Sequence, residues 1–220
     1  MDKVVLYGNG PVAKGAYFSL KTDSPFEVVA FTVDRDFIDS NILLDLPVIP
    51  YDEIQSRFPC NDYKMMIAVG YVNGNHVRAE KHRQAKEMGY QMINYISSRA
   101  IVGPDVVLGE DSVINANCLI SGPARIGDDV RIGAGTFLGH DNIIGDHSFL
   151  SNCVVTGGNV TVESYCFIGL NATIRNKIRI ASHCFIGAGA VILQNTKEKE
   201  VYMARPAELL PISSDDLPIS

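Results

Sequence analysis

A six-residue period dominates this sequence and restricts the folds it can adopt. From Val102 to Val191, fifteen consecutive hexapeptides each open with an aliphatic residue, and only Thr156 departs from that type. The next residue is usually Gly or another small residue, and a compact residue follows three positions later. An unbroken hexapeptide repeat is typical of a parallel β-helix. With three hexapeptides per triangular turn, it predicts about five stacked coils at ~4.8 Å between strands.

Residues 1–96 lack this period and alternate strand-like with helix-like segments. Strands are predicted over 4–7, 26–33, 47–50, 65–69 and 91–96, and helices over 11–20 and 80–88. Such alternation predicts a parallel sheet with helices on both faces. We therefore expect an α/β Rossmann-like domain over 1–96, a β-helix over 97–196 and a tail over 197–220.

The first predicted strand runs into a glycine-rich turn of the form G-x-G-x-x-A, with Gly8, Gly10 and Ala13. Asp34 closes the second strand, 24 residues beyond Gly10. Glycines there let the backbone approach a phosphate at a helix N-terminus, and the carboxylate can bind a ribose or base. The same residues also suit a tight turn without a ligand. A domain of this size fits a single nucleotide better than a dinucleotide.

Composition excludes several classes of function. The net charge is −6 and the pI is near 5.3, which argues against non-specific nucleic-acid binding. No signal peptide and no apolar stretch near eighteen residues is found, so we expect a cytoplasmic protein without a membrane partner. The five cysteines form no C-x-x-C motif. Three of them, Cys118, Cys166 and Cys184, occupy interior positions of the repeat and are expected to be buried.

His140 is the strongest candidate for chemistry on the β-helix. Residues eighteen apart stack in successive coils, which places His140 between Gly122 and Gly158. Glycine neighbours leave space beside the ring, and Asp141 can orient the imidazole or stabilise its charged form. The alternative is an exposed surface histidine without a role.

A second histidine, His147, lies on the next face of the predicted prism. Its stacked neighbours are Asp129 and Tyr165, which favours a structural bond across the coil. His76 and His82 belong to the front domain and are expected to be solvated.

The chain resembles the bacterial sugar acetyltransferases of the sialic-acid O-acetyltransferase and bacillosamine N-acetyltransferase type over nearly its whole length. The residues that carry the resemblance are the segments 7–10, 31–34, 46–50, 68–70, 139–147, 158–160, 167–171 and 205–207. The resemblance implies that the β-helix is left-handed, that the protein is a homotrimer, and that acetyl-CoA binds in the groove between two β-helices.

The resemblance also implies residue roles. His140 would be the catalytic general base, supported by Asp141. Acetyl-CoA would contact Phe149, Gly158, Gly169, Leu170, Ala188 and Arg205, and the nucleotide sugar would contact Gly8, Asn9, Gly10, Pro11, Asp34 and Gly70. Two positions depart from the family pattern: Phe149 stands where some members have a second histidine, and Ala204 stands where many have glycine.

The expected function is therefore transfer of an acetyl group from acetyl-CoA to the amino group of a nucleotide-linked amino sugar, in the synthesis of surface-polysaccharide precursors. O-Acetylation of a sugar hydroxyl is the nearest alternative. A zinc hydratase of the γ-carbonic-anhydrase kind needs three converging histidines, and the sequence predicts no metal site. A non-catalytic β-helix scaffold would need neither the nucleotide turn nor a histidine between glycines.

Overall fold

The computed structural model describes residues 1–209, 211 and 213. The rest of the predicted tail, residues 210, 212 and 214–220, lies outside the described residues. An α/β unit at the N-terminus packs against one side of a long β-helix, and every strand contact within the β-helix is parallel.

The α/β unit contains a five-stranded sheet with three α-helices around it. The strands are β1 (Asp2–Tyr7), β2 (Phe26–Val33), β3 (Ile42–Leu43), β4 (Leu46–Pro50) and β5 (Lys64–Ile67), and the helices are α1 (Pro11–Asp23), α2 (Ile54–Arg57) and α3 (His76–Glu87). The strand order is β3-β4-β2-β1-β5, and only the β3–β4 pair is antiparallel. The predicted parallel sheet is thus present, with an added hairpin that the sequence did not reveal.

Helices cover both faces of this sheet, as the alternation predicts. From α1, Tyr17 and Leu20 pack with Phe31 on one face. On the other face, Ile54 of α2 and Ala85 of α3 pack with the sheet residues whose side chains point to that face, such as Val5 and Ile67. Helix α1 begins with Pro at its first position, where the absent N–H costs nothing.

The β-helix is a three-sided prism. Its first face contains β7 (Ile101–Val102), β10 (Leu119–Ile120), β13 (Phe137–Leu138), β16 (Val155–Thr156), β19 (Thr173–Ile174) and β22 (Val191–Ile192). Its second face contains β8 (Val106–Leu108), β11 (Ala124–Ile126), β14 (Asn142–Ile144), β17 (Thr161–Val162) and β20 (Arg179–Ile180). Its third face contains β6 (Tyr95–Ile96), β9 (Val113–Ile114), β12 (Arg131–Ile132), β15 (Phe149–Leu150), β18 (Phe167–Ile168), β21 (Phe185–Ile186) and β23 (Val201–Tyr202).

Successive strands on each face pair with a shift of eighteen residues, as in Leu119 with Phe137 and Phe137 with Val155. This register places the aliphatic residue of nearly every hexapeptide in a single continuous core. Each strand of the prism is only two or three residues long. Each coil is therefore stabilised by its neighbours rather than by local propensity. The parallel sheets and the repeat fit the left-handed β-helix that the resemblance implies.

The prism extends beyond its predicted bounds at both ends. The predicted strand 91–96 is regular only at Tyr95–Ile96, which pairs with β9 of the prism, whereas Met92 forms a single parallel bridge with Met65 of the front sheet. At the other end, Val201–Tyr202 of the predicted tail pairs with β21. Both additions supply partners to backbone groups that an uncovered terminal coil would leave unpaired.

Buried polar groups join the α/β unit to the prism. Strand β5 lies at the edge of the front sheet, and its Ile67 N–H donates to Asp111 of the prism at 3.1 Å. The carbonyl of Ile67 accepts from Arg131, also of the prism. The outer edge of β5 is therefore bonded by these prism side chains at Ile67 and by the backbone of residues 91–93 at Met65, and the two units share a continuous interface.

Candidate active site

His140 and Asp141 form the turn between the first and second faces of the prism, which we call the His140 corner. The side chain of His140 is 61% exposed and that of Asp141 48% exposed. Asp141 has a left-handed backbone, with φ of 57°, and its N–H donates to the carbonyl of Pro123 at 2.6 Å. The turn thus holds both side chains outside the core.

The two side chains of this corner are in direct contact. Nδ1 of His140 lies 2.7 Å from Oδ2 of Asp141. An ionised carboxylate only accepts hydrogen bonds, so a neutral imidazole in this contact carries its proton on Nδ1. Nε2 is then left with a free lone pair, which is the form a general base requires.

Gly158 lies against the ring of His140, one coil further along the prism. A Cβ atom built on Gly158 would overlap Nε2 and would lie 2.6 Å from Cε1 of His140. On the other side, a Cβ on Gly122 would meet only Asp105, at 3.5 Å. The imidazole therefore lies closer to Gly158 than to Gly122. The ring occupies the space that a side chain at position 158 would fill.

A second candidate region is a cavity at the carboxyl edge of the front sheet. Its lining comprises Tyr7, Gly8, Asn9, Gly10, Pro11, Val12, Val33, Phe37, Ala68, Val69, Gly70, Tyr71, Val72 and Val77. It opens between β1 and β5, where the chain after β1 leads to a helix on one face and the chain after β5 to a helix on the other. Parallel α/β sheets bind ligands at such a switch point.

The glycine-rich turn shapes this cavity as its sequence suggests. Gly8 has φ of 130°, and a Cβ there would lie 2.6 Å from the carbonyl oxygen of Ala68. Gly10 caps α1 and has no atom within 4 Å of a built Cβ. Nδ2 of Asn9 donates to the carbonyl of Phe37 at 2.6 Å, which closes one side. The N-terminus of α1, where unpaired N–H groups attract anions, therefore faces open space.

Asp34 lies beside this cavity but is already paired. Lys81 of α3 places Nζ 2.7 Å from its carboxylate and 5.3 Å and 4.9 Å from the ring centres of Tyr7 and Tyr51. Burial and the charge of Asp34 raise the pKa of Tyr7, so this phenol stays neutral. Sequence reasoning did not find Lys81, because a lysine in an amphipathic helix carries no positional signal.

The residues assigned to acetyl-CoA fall mainly on a different corner. Gly169, Leu170 and Ala188 lie in the turns that lead from the third face to the first, which we call the third corner. A Cβ on Gly169 would lie 2.6 Å from the N of Ala188, so the coils are in close contact there. Leu170, Ala188 and Arg205 are exposed. A single chain does not bring this corner together with His140.

Phe149 projects from the third face toward the α/β unit. Its ring stacks on Phe167 at 5.7 Å and lies 5.9 Å from the guanidinium of Arg78. Tyr71, from the cavity loop, covers the same aromatic row at 4.4 Å from Phe167. Phe149 also lines a cavity next to the third corner, with Asn152. Its ring is thus part of the interface, and its predicted contact with acetyl-CoA stays a prediction.

The turn between the second and third faces, which we call the helix-covered corner, is closed by α3. A column of left-handed residues, Asp111, Asp129, His147, Tyr165 and His183, stacks along it. Nδ1 of His147 lies 2.9 Å from Asp129, and its ring centre lies 4.9 Å from that of Tyr165. The expected bond across the coil is therefore present.

Arg78 of α3 is completely buried against this corner. Its Nε donates to Asp129 at 2.8 Å, and its Nη2 donates to the carbonyl of His147 at 2.9 Å. The expectation that His82 is solvated is wrong: it is 5% exposed, with Nδ1 3.5 Å from Asp111. Sequence reasoning did not find Arg78, because its partners on the prism are 51 and 69 residues away in the chain.

Among residues 1–209, 211 and 213, no group of three or more His, Cys, Asp or Glu side chains could hold a metal ion. His140 and His147 lie at different corners of the prism.

Within the same part of the chain, no helix has both the length and the apolar character needed to cross a membrane.

Comparison with known families identifies the class of the repeat region. The family model "Hexapeptide repeat of succinyl-transferase" matches residues 99–140 and 159–194. These ranges include the His140 corner up to His140 itself and most of the third corner. Residues 99–140 and 159–194 are therefore similar in sequence to known hexapeptide repeats, and the strands from Ile101 to Ile192 stack as a β-helix.

Solved structures narrow the comparison to sugar N-acetyltransferases. A mutant of perosamine N-acetyltransferase from Caulobacter crescentus, in complex with CoA and GDP-perosamine, is 25% identical, with a TM-score of 0.82 over 91% of this chain and 93% of that chain. PerB from Caulobacter crescentus, in complex with the same two molecules, is 26% identical, with a TM-score of 0.79 over 92% of each chain.

WeeI from Acinetobacter baumannii AYE has the same fold, with a TM-score of 0.79, 22% identity, and coverage of 96% of this chain and 100% of that chain. The family model and the solved structures confirm the resemblance to β-helix sugar acyltransferases.

Proposed function

We propose that this protein transfers an acetyl group from acetyl-CoA to the amino group of a nucleotide-linked amino sugar. The observation that carries the proposal is the His140–Asp141 pair, 2.7 Å apart, with Nε2 free at an exposed corner beside Gly158. The perosamine N-acetyltransferase relative, which binds CoA and GDP-perosamine, supports the choice of both substrates.

The proposed reaction is direct attack of the sugar amine on the thioester carbonyl. The C–N bond forms as Nε2 of His140 accepts a proton from the amine, and Asp141 stabilises the resulting imidazolium. A backbone N–H in the donor groove stabilises the tetrahedral oxyanion. The C–S bond then breaks, and the imidazolium returns its proton to the sulfur of CoA. Neither a metal nor a covalent enzyme intermediate is needed in this scheme.

In this proposal the α/β unit is a Rossmann-like domain that binds the nucleotide. Gly8, Asn9, Gly10 and Pro11 present the N-terminus of α1 to a phosphate, and Gly70 leaves room on the opposite side of the cavity. Asp34 is 42% exposed and can accept a hydroxyl group while it remains paired with Lys81.

We also propose that the active unit is a homotrimer. The two faces that meet at the His140 corner carry exposed apolar side chains: Phe137 (39%), Val155 (41%) and Val191 (61%) on the first and Ile143 (45%) on the second. Apolar surface of this kind favours association. A neighbouring copy would bring its third corner, with Gly169, Leu170, Ala188 and Arg205, to the His140 corner and so complete a groove for acetyl-CoA. A cytoplasmic location stays a prediction.

The test is a panel of UDP-, GDP- and dTDP-linked amino sugars, GDP-perosamine among them, incubated with acetyl-CoA. Release of free CoA thiol and the mass of the product identify the acceptor and the acylated nitrogen. Matched sugars with a hydroxyl in place of the amine serve as the control. Thiol release with the hydroxyl sugars and not with the amines would overturn N-acetylation. Sedimentation equilibrium tests the trimer, which predicts about three times 24.0 kDa.

A further inference from the structure

In the interior of the prism, a pair of polar side chains joins the coil that carries His140 to the next coil. Thr156 is the single repeat-opening residue that is not aliphatic, and both it and Asn142 are completely buried. Nδ2 of Asn142 donates to the hydroxyl of Thr156.

The remaining bonds of this pair end on backbone next to the candidate site. Oδ1 of Asn142 accepts from the N–H of Val160 at 2.7 Å, just beyond the turn that contains Gly158. The N–H of Gly139, the residue before His140, lies 3.2 Å from Oγ1 of Thr156. The pair thus links the backbone of the His140 turn to the backbone of the turn stacked on it.

Other coils use the same repeat position differently. Their interior hydroxyl groups donate to a carbonyl oxygen fifteen residues further along: Ser112 to Gly127 at 2.9 Å, Thr136 to Ser151 at 3.1 Å and Ser148 to Glu163 at 2.9 Å. Asn142 accepts an N–H eighteen residues further along, as Ser112 and Ser148 do, but it donates to a side chain where they donate to a carbonyl oxygen. It therefore shares one of the two bonds that link the coils and departs in the other.

An apolar pair would fit these two positions. At the position of Asn142, neighbouring coils carry Ala124 and Val160, and at the position of Thr156 they carry Leu138 and Ile174. Buried polar groups must recover the cost of leaving water through their hydrogen bonds, and apolar replacements of similar volume are often equally stable or more so. A stable prism therefore does not require the pair.

We infer that Asn142 and Thr156 are positioning residues for His140. Their hydrogen bonds join the two turns from the interior and set the distance between the backbone of His140 and that of Gly158. This distance determines the position of Nε2 relative to the bound amine. The ring has little tolerance there, because even a built Cβ on Gly158 collides with it. The catalytic part of this inference rests on the proposed function, whereas the positional part does not.

The kinetic test compares three variants of the whole protein with the best acceptor of the panel and acetyl-CoA. Thr156→Val removes the hydroxyl group at nearly constant shape, Asn142→Val with Thr156→Leu makes the coil like its neighbours, and Thr156→Ser keeps the hydroxyl group. We expect kcat to fall about tenfold to a hundredfold in the first two, as for a small misplacement of a catalytic group. Both KM values should stay nearly constant, and Thr156→Ser should retain wild-type kcat.

A second readout needs no substrate. The imidazole NMR signal of His140, assigned by its loss in His140→Ala, is titrated against pH in each variant. We expect its midpoint to shift in Thr156→Val and in the double variant but not in Thr156→Ser, while the signal of His147 serves as an internal reference. Ser112→Ala is the matched control, since Ser112 also bonds an N–H eighteen residues on, from Val130.

Unchanged kcat and an unchanged His140 titration in Thr156→Val would overturn the inference, even if the melting temperature falls. If the double variant does not fold, the contrast between Thr156→Val and Thr156→Ser still decides. Failure of the proposed function gives a different result: no amine of the panel is acetylated, while the NMR arm still reports whether the pair positions His140.

Discussion

Two corners of the same prism each carry a histidine in contact with an aspartate, yet they have different surroundings. His140 lies 2.7 Å from Asp141 and its side chain is 61% exposed. His147 lies 2.9 Å from Asp129 and its side chain is 17% exposed. The contact between the two side chains is therefore almost identical, and it does not by itself distinguish a candidate base from a structural histidine.

The neighbours of each pair make the difference. Beside His140 stands Gly158, and within the described part of the chain no other element covers the ring, so a substrate can reach Nε2. Beside His147 stands Tyr165, and above it lies α3 with the buried Arg78. A histidine–carboxylate pair acts as a base only where the fold leaves its other nitrogen accessible.

The largest effect is expected from removing the histidine of the open corner. His140→Ala should lower turnover about 10²–10⁴-fold, the contribution of one general base, with little change in either KM. The matched variant His147→Ala should keep most of the turnover. The measurement is steady-state kinetics with both substrates varied. Equal losses from the two variants would mean that the corners do not differ in the way proposed.

The covered corner should respond in stability instead. Arg78→Ala removes one of the two buried arginines that pair with Asp129, the other being Arg131 at 3.1 Å, and loss of one member of a buried ion pair costs up to about 3–5 kcal/mol in the free energy of unfolding. Arg83→Ala on the same helix breaks only exposed pairs and should cost less than about 1 kcal/mol. Chemical denaturation measures both. A small effect of Arg78→Ala would show that the interface of α3 with the prism is not held by this network.

A smaller effect on turnover is expected from adding one methyl group at the open corner. Gly158→Ala places a Cβ where the ring of His140 lies, so the ring must move, and kcat should fall about tenfold to a hundredfold. Gly122→Ala is the control on the opposite side, because its Cβ would make an ordinary 3.5 Å contact with Asp105. If Gly158→Ala keeps wild-type kcat, the space beside His140 has no role in the mechanism.

In the front cavity, Asp34→Ala should raise the KM for the nucleotide sugar about tenfold, the value of one hydrogen bond to a charged group. The KM for acetyl-CoA should not change, since the residues proposed to bind the donor lie outside the front cavity. Asp36→Ala, an exposed acid two residues away, is the control. Equal changes in both KM values would contradict the division of the two substrates between the two units.

The smallest effect concerns pH and the covered corner. Burial alone lowers the pKa of His82, but the carboxylate of Asp111, together with the charges of Asp129 and Asp128, holds the pKa above its usual value. The charged form is thus favoured in the folded state, so its stabilisation is complete below pH ~6.5 and is lost as the pH rises through the folded pKa. The free energy of unfolding of His82→Gln should therefore differ more from wild type at pH 6 than at pH 8.5. The reverse order would mean that His82 is buried in its neutral form.

Much of the β-helix was determined by the sequence alone. The period of six places the aliphatic residues in one core, and stacking at intervals of eighteen puts His140 beside Gly158 and His147 between Asp129 and Tyr165. These relations are local and repetitive, so a single period carries them. The glycine-rich turn likewise indicated the cavity at the end of β1, because Gly8 needs a positive φ and close contact with Ala68.

Only the tertiary structure decided which corner is open and which is closed. The closure depends on Arg78, which reaches Asp129 across 51 positions of sequence and the carbonyl of His147 across 69. Such contacts have no period, since they arise from how α3 packs on the prism. The pairing of Asn142 with Thr156 is of the same kind: each residue departs from the repeat, and only their meeting inside the coil gives the departure a physical reason.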